Sequence, residues 1–432
     1  MTTLLPAQAA QLTRWQDASG ATVVFVHSSE LPILDIEADF AAGALFEPSE
    51  APGLSALTAG MLTRGAGALD EDAVAEKLAD SGAIFSSGSD QDRASLTLRT
   101  LTDPARMQAA LALFEAALSS PRFDAAVFDR EKNRAAAHLK DALTLPDTQA
   151  ERAFWQNVYP DHPYGRQATP ESLVTLKAKA AQAFWQQHYT AQNATLTLVG
   201  PLSEDDARAL AARLCAAMPQ GAKVALPAQP QVGQGKTVVI AHSAAQAHLI
   251  LGMPTIPKGD PDFFALLVGN YTLGGGGFAS RLMQEVREKA GLAYGVYSAF
   301  IPLRETGPFE IALATRKDQA GEALKIVRHV LDGFLQNGPT EAELAAAKAY
   351  LTGSFPLNLD SNKKWLAQAA AIGFYGLPAD YLDTWTTKVQ AVSLKDIRAA
   401  FARRVDPARL VTVIVGGTNE EAQQAANAPQ KP

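Results

Sequence analysis

Two hydrophobic rhythms alternate along the chain in blocks. Short segments at Thr22–Val26, Ile33–Phe40, Val238–Ala241 and His248–Gly252 alternate or run apolar, and so predict β-strands. Between them lie long Ala-rich stretches with helical spacing. Strands interleaved with long helices in this order predict an α+β protein whose sheets are mostly antiparallel and faced by helices.

The pattern occurs twice. Ala183–Gly200 reads AFWQQHYTAQNATLTLVG and Ala399–Gly416 reads AAFARRVDPARLVTVIVG, 216 residues apart, which is half of 432. Each is an amphipathic helix, a short connection and an alternating strand closing on Gly, with Thr175 or Ser393 upstream as the expected helix cap. A second pair matches as strand, turn and long helix: Ser95–Leu118 and Phe309–Leu331. Between the halves, Met218–Lys236 is rich in Pro, Gly and Gln and has no periodicity, so it reads as a linker. The expected organisation is two homologous domains, 1–217 and 237–432, joined by 218–236. Two units are too few for a solenoid.

Length supports two domains of about 200 residues each. Hydrophobic residues at 47% supply ample core, and the net charge of −7 is spread without a basic stripe, which argues against a nucleic-acid partner. Cys215 is the single cysteine, so neither an intrachain disulfide nor a cysteine zinc cluster is available. No apolar run approaches the length of a membrane span. MTTLLPAQAAQ has neither the charged nor the apolar region of a signal peptide, so the expected location is periplasmic if such a peptide has been removed and cytoplasmic otherwise.

The candidate chemistry lies in Leu273–Phe300, LGGGGFASRLMQEVREKAGLAYGVYSAF. This segment resembles the hallmark of the pitrilysin-like (M16) metallopeptidases: a Gly-rich turn (Gly274, Gly275, Gly276, Gly277), a helix with Ser280–Leu282 and Arg287, then Gly291–Tyr294. In the first half, Ala41–Gly67 is similar to the family's first strand and active-site helix, and His162–Arg166 (HPYGR) to its HPYG loop. The ordered set covers essentially the whole chain.

The departure is in the active-site helix. Catalytic members carry His-x-x-Glu-His there, two imidazoles for zinc and a Glu to activate water. Anchored on Pro52–Gly53 and Met61–Leu62, those positions fall on Ala56, Ala59 and Gly60. The family's third ligand falls near Ala137 or His138, and one imidazole does not rebuild a three-ligand site. No metal site and no cofactor are therefore expected in this chain.

The resemblance implies that Arg287 and Tyr294, seven apart, are a substrate-contacting pair that holds a carbonyl or stabilises an oxyanion. The plain alternative is a solvated helix Arg and a half-buried strand Tyr. The four glycines lack the Lys-Ser/Thr of a phosphate loop and read as a turn close to substrate backbone, or simply as a tight turn. His242 and His248 have no ligand spacing and read as structural or surface residues. His162 reads as a loop residue bonded to backbone, His138 as a helix-surface residue, and Glu285 and Lys289 as a helix ion pair.

Two functions follow from the resemblance. One is the partner subunit of a heterodimeric zinc endopeptidase: a homologous subunit carries the zinc, the peptide adds as a strand to that subunit's sheet edge, and this chain supplies donors from the opposite wall. The other is an inert structural or peptide-binding subunit, of the processing-peptidase or respiratory core-protein type.

Overall fold

The computed structural model describes residues 12–416, which form two compact units. The first holds a six-stranded sheet built from β1 (Leu12–Gln16), β2 (Thr22–His27), β3 (Ile33–Phe40), β4 (Ile84–Ser89), β5 (Ala94–Leu101) and β6 (Ala194–Gly200), in the order β1-β2-β6-β3-β5-β4. The second holds β7 (Lys236–Ile240), β8 (Gln246–Ile256), β9 (Ala293–Phe300), β10 (Gly307–Arg316) and β11 (Val411–Val415), in the order β7-β11-β8-β10-β9. Each sheet is antiparallel except for one pair, β2 with β6 and β7 with β11. The expected α+β architecture with two helix-faced sheets is what the chain adopts.

The repeat survives in detail. Helix Ala178–His188, a 3₁₀ turn at Ala191–Asn193 and β6 correspond to helix Leu394–Arg404, a 3₁₀ turn at Pro407–Arg409 and β11. Likewise β5 runs into helix Pro104–Ser119, and β10 into helix Ala320–Asn337. One expected cap is real: Ser393 Oγ accepts from Asp396 N in a reciprocal capping box. Thr175 is not a cap. It ends helix Pro170–Thr175 and donates its hydroxyl to Ser172 O, and the next helix starts after Lys177 with no side-chain cap.

The units are not the two continuous halves of the chain. Among the described residues, one comprises 12–134, Glu171–Leu226 and Pro356–Asp383; the other comprises Ala135–Pro170, Pro227–Phe355 and 384–416. Helix Pro146–Val158 from the first half therefore packs on β8 and β11, while helix Asn362–Tyr375 from the second half packs on β2, β3 and β6. Leu366 and Ala369 of the latter are buried against Val24, Val26 and Val199. Residues 218–235 between the halves carry neither helix nor strand.

The second unit's core lies on one side of its sheet. Leu249, Leu251, Phe309, Ile311 and Leu313 meet Val327, Leu331 and Phe334 of helix Ala320–Asn337 and Phe401 of helix Leu394–Arg404. Each such fully buried side chain contributes roughly 1.5–3 kcal/mol of transfer free energy. This packing fixes β10, and β10 in turn fixes the edge strand β9 that carries Tyr294.

Candidate functional site

The Gly-rich segment is helical, not a flexible turn. Helix Phe263–Asn270 widens into a π turn at Tyr271–Gly275, closed by Gly276 N donating to Tyr271 O. A short 3₁₀ turn, Gly277–Ala279, follows, and a second π segment spans Met283–Lys289. π turns are uncommon and concentrate at functional sites.

Three of the four glycines are explained by close approach within the fold. A Cβ on Gly274 would lie 2.6 Å from Ser298 N, on Gly275 2.7 Å from Asn270 Nδ2, and on Gly276 2.5 Å from Tyr271 O. Gly274 seats the π turn against β9, while Gly275 and Gly276 let the turn close on Asn270 and Tyr271. Gly277 differs: its φ is +56° and a Cβ there would meet nothing within 4 Å. The SRL motif is an anchor. Ser280 Oγ donates to Gly277 O at 2.7 Å, Leu282 is fully buried, and Arg281 bonds Glu343 through Nε (2.8 Å) and Nη2 (2.7 Å). The Arg281 guanidinium and the Thr340 cap hold the Glu343 carboxyl down at about 2.

β9 is the last strand of its sheet, yet its outward edge is occupied by side chains. Arg287 Nη1 donates to Tyr294 O at 2.7 Å, Val296 N donates to Met283 Sδ at 3.5 Å, and Asn270 Nδ2 donates to Ser298 O at 2.8 Å. Capping by side chains is one way of closing an edge to further strand pairing. Opposite Ala314 the register shifts: Leu313 pairs with Val296 and Thr315 with Ala293, so Tyr294 and Gly295 together oppose one residue. That is a β-bulge, a device that re-aims a side chain.

The expected pair is thus brought together, with contacts the sequence did not foretell. Tyr294 is 85% exposed, and Arg287 also faces Glu288 at 3.5 Å. The Arg287 guanidinium lies 4.7 Å from the ring centroid of Tyr294 and 4.7 Å from that of Phe278, which is 64% exposed. Phe278 escapes sequence reasoning because it reads as an ordinary helix-start hydrophobe; the one available signal is a large apolar residue straight after a glycine run.

In the first unit, helix Leu54–Met61 begins at Gly53, with Glu47 accepting from Ser55 N at 2.8 Å. Ala56 is exposed on this helix, Ala59 is fully buried, and Gly60 faces open space. Methyl groups and a hydrogen offer no donor atom, so these positions do not fit a zinc ion. Among the described residues, no group of three or more His, Cys, Asp or Glu side chains is placed to hold a metal. Also among them, no helix is long and apolar enough to cross a membrane.

Of the other histidines singled out in the sequence, His162 and His242 are bonded within the fold. His162 is buried and accepts from Tyr164 N through Nδ1, at 3.2 Å; burial pushes its pKa down to about 4. His242 bonds Thr144 O and Ala244 N, His138 is exposed on helix Ala125–Ala142, and Glu285 pairs with Lys289 at 2.6 Å. A groove of about 1070 Å³ in the second unit is lined by Arg328, Asp332, Arg403 and Arg404 but includes neither Arg287 nor Tyr294. Its Arg403 and Arg404 are engaged by Asp262.

Sequence reasoning missed a buried acidic row. Asp35, Glu37 and Asp39 alternate along β3 on the face covered by helix Asn362–Tyr375, and all three are buried. Arg99 bonds Asp35 through Nε at 2.7 Å, and Arg93 lies 3.0 Å from Asp39 and 3.7 Å from Glu37. Burial, then the neighbouring Asp39 charge, push the Glu37 carboxyl up to about 8 despite Arg93.

Comparison with known proteins agrees with this fold. Residues 22–170 match the family model "Insulinase (Peptidase family M16)", and residues 175–351 match "Peptidase M16 inactive domain". A solved structure titled peptidase M16 inactive domain, from Pseudomonas fluorescens, superposes with a TM-score of 0.91 at 36% identity, covering 94% of this chain and 98% of that one. Among curated relatives, an uncharacterized zinc protease of Streptomyces coelicolor is 30% identical over 258 residues, 57% of this chain and 55% of that protein. The match thus spans about half the length of that relative. The non-peptidase homolog YmxG of Helicobacter pylori is 25% identical over 398 residues, 90% of each chain. A full-length structural match at this identity, two consecutive family matches and a shared two-sheet fold place the chain in peptidase family M16.

Proposed function

We propose that this chain is the non-zinc subunit of a heterodimeric zinc endopeptidase, with Tyr294 as its donor to the oxyanion of peptide hydrolysis. In this reading a homologous partner carries the zinc and the water-activating Glu. The homologous halves 1–217 and 237–432, joined by 218–236, divide the work: the first keeps the fold of a catalytic domain without its ligands, and the second presents Arg287 and Tyr294. Gly274–Gly277 hold the turn beside them.

The observation that carries the reading is Tyr294: a phenol 85% exposed on an edge strand, turned out by a bulge and stacked on a guanidinium. Packing does not call for a tyrosine there, whereas donation to a charge that develops outside the chain does. Such a donor is strong only where water is excluded. The chain alone leaves Tyr294 in solvent, so the reading requires a second wall.

The inert structural reading is favoured by a different observation, the name "non-peptidase homolog" borne by a relative matched over 90% of its length. Titration separates the two. The purified chain is expected to cleave no peptide, and a zinc-bearing family subunit should gain activity on its addition until the two are equimolar. A zinc subunit fully active alone and indifferent to this chain leaves the structural reading in possession.

A further inference from the structure

We propose that Phe278 and Arg287 are positioning residues for the Tyr294 ring, with Phe278 holding Arg287 and Arg287 acting through Tyr294. The inference rests on the catalytic reading of Tyr294 given above and adds Phe278 to that site.

Arg287 is already committed within the chain. Its Nη1 donates to the carbonyl of Tyr294, fixing the backbone of the very residue whose side chain is to act, and its Nε faces Glu288 at 3.5 Å. The guanidinium carbon lies over two rings, each with its centroid 4.7 Å away. A guanidinium resting on aromatic faces is a favourable arrangement that an ammonium reproduces poorly.

Tyr294 has little else to hold it. With 85% of its surface exposed and a bulge beneath it, its ring would sample several rotamers without the stack. Phe278 is 64% exposed, and its ring rests on the Arg287 guanidinium at 4.7 Å. Its position is fixed by a turn made for it: Gly277 takes a φ of +56°, open to glycine at no cost, and its carbonyl is held by the Ser280 hydroxyl at 2.7 Å. Phe278, Arg287 and Tyr294 then form one cluster joined through the guanidinium, with Met283 and Asn270 closing the strand edge beside it. A donor misplaced by 1 Å costs catalysis about 10²-fold, which gives an orienting cluster a function.

The test has two arms. Biosynthetic 3-fluorotyrosine labels the chain's nine tyrosines, and Tyr294→Phe assigns the signal of interest. In the isolated chain, Phe278→Ala and Arg287→Ala should each move and narrow the Tyr294 ¹⁹F resonance toward that of free fluorotyrosine, and Phe278→Trp should retain the wild-type position. In the heterodimer assayed with an internally quenched peptide, Phe278→Ala should lower kcat on the order of tenfold with KM within about twofold. Because Phe278 is exposed, its truncation is expected to fold normally. An unmoved ¹⁹F signal in Phe278→Ala overturns the positioning role, as does Arg287→Ala raising KM at constant kcat. Tyr294→Phe at full kcat with a moved signal instead overturns the catalytic reading beneath it.

Discussion

Ala56 and Gly60 stand one turn apart on helix Leu54–Met61, the first exposed and the second facing space with no atom within 4 Å of a would-be Cβ. Neither side chain offers a donor atom, and in the proposed reading these are the positions where a zinc-bearing relative places its two histidines. The purified chain is expected to hold no stoichiometric zinc by metal analysis. Ala56→His/Gly60→His should acquire weak, chelator-sensitive zinc binding in a competition titration, because imidazoles at i and i+4 share one helix face. No binding by the double variant would mean that the helix presents these positions differently. Independently, Gly60→Ala should stabilise the chain by roughly 0.5–1 kcal/mol in urea unfolding, since a helical glycine with room for a methyl is replaced.

Tyr294→Phe should lower kcat of the assembled enzyme about 10-fold to 10³-fold while KM changes little, the range for loss of one oxyanion donor. Heterodimer formation, followed by size-exclusion chromatography, should be untouched because the ring remains. A kcat within about twofold of the parent, with the complex intact, would make the residue structural.

Glu37 links stability to pH. Its folded pKa is raised from 4.5 to about 8, so between those values the folded chain binds a proton that the unfolded chain has released. Stability should therefore fall as pH rises through that window, by at most about 1.4 kcal/mol per unit for this group, and level off above it. Asp39, also raised by burial, opposes no part of this sign. In urea melts at pH 5 and pH 8.5, Glu37→Gln should flatten the difference. An unchanged slope would exclude Glu37 as its source.

Limited trypsin digestion should cut first at Lys223, which is exposed within the 218–235 segment that has neither helix nor strand. Each unit draws segments from both sides of that cut, so the two fragments should elute together under native conditions and separate only in denaturant. Fragments that part without denaturant would contradict the exchanged packing. First cleavage elsewhere would contradict an exposed connection.

Much of this fold is legible in the sequence because its signals are local. β5 alternates buried and half-buried residues along its length, and Ser393 with Asp396 spells a capping box. What resisted reading is nonlocal. Helices Pro146–Val158 and Asn362–Tyr375 each show an apolar face, but amphipathicity says that a face is covered, not which sheet covers it. The acidic positions of β3 follow the alternation of a solvent-facing strand, yet Arg93, Arg99 and a helix from the other half of the sequence bury them. At the candidate site the Arg287–Tyr294 spacing was readable. The π turns and the place of Phe278 were not, because a single widened turn is too short to set a hydrophobic period of its own.

The exchange of helices also sets an order of events at the ribosome. The β-strands of the first unit are all made by Gly200, but the helix that covers β2, β3 and β6 ends at Tyr375. Until it emerges, a sheet face bearing Asp35, Glu37 and Asp39 waits without its cover. The nascent N-terminal half thus waits as an incomplete domain while most of the second half is made, so neither half can finish its unit without the other.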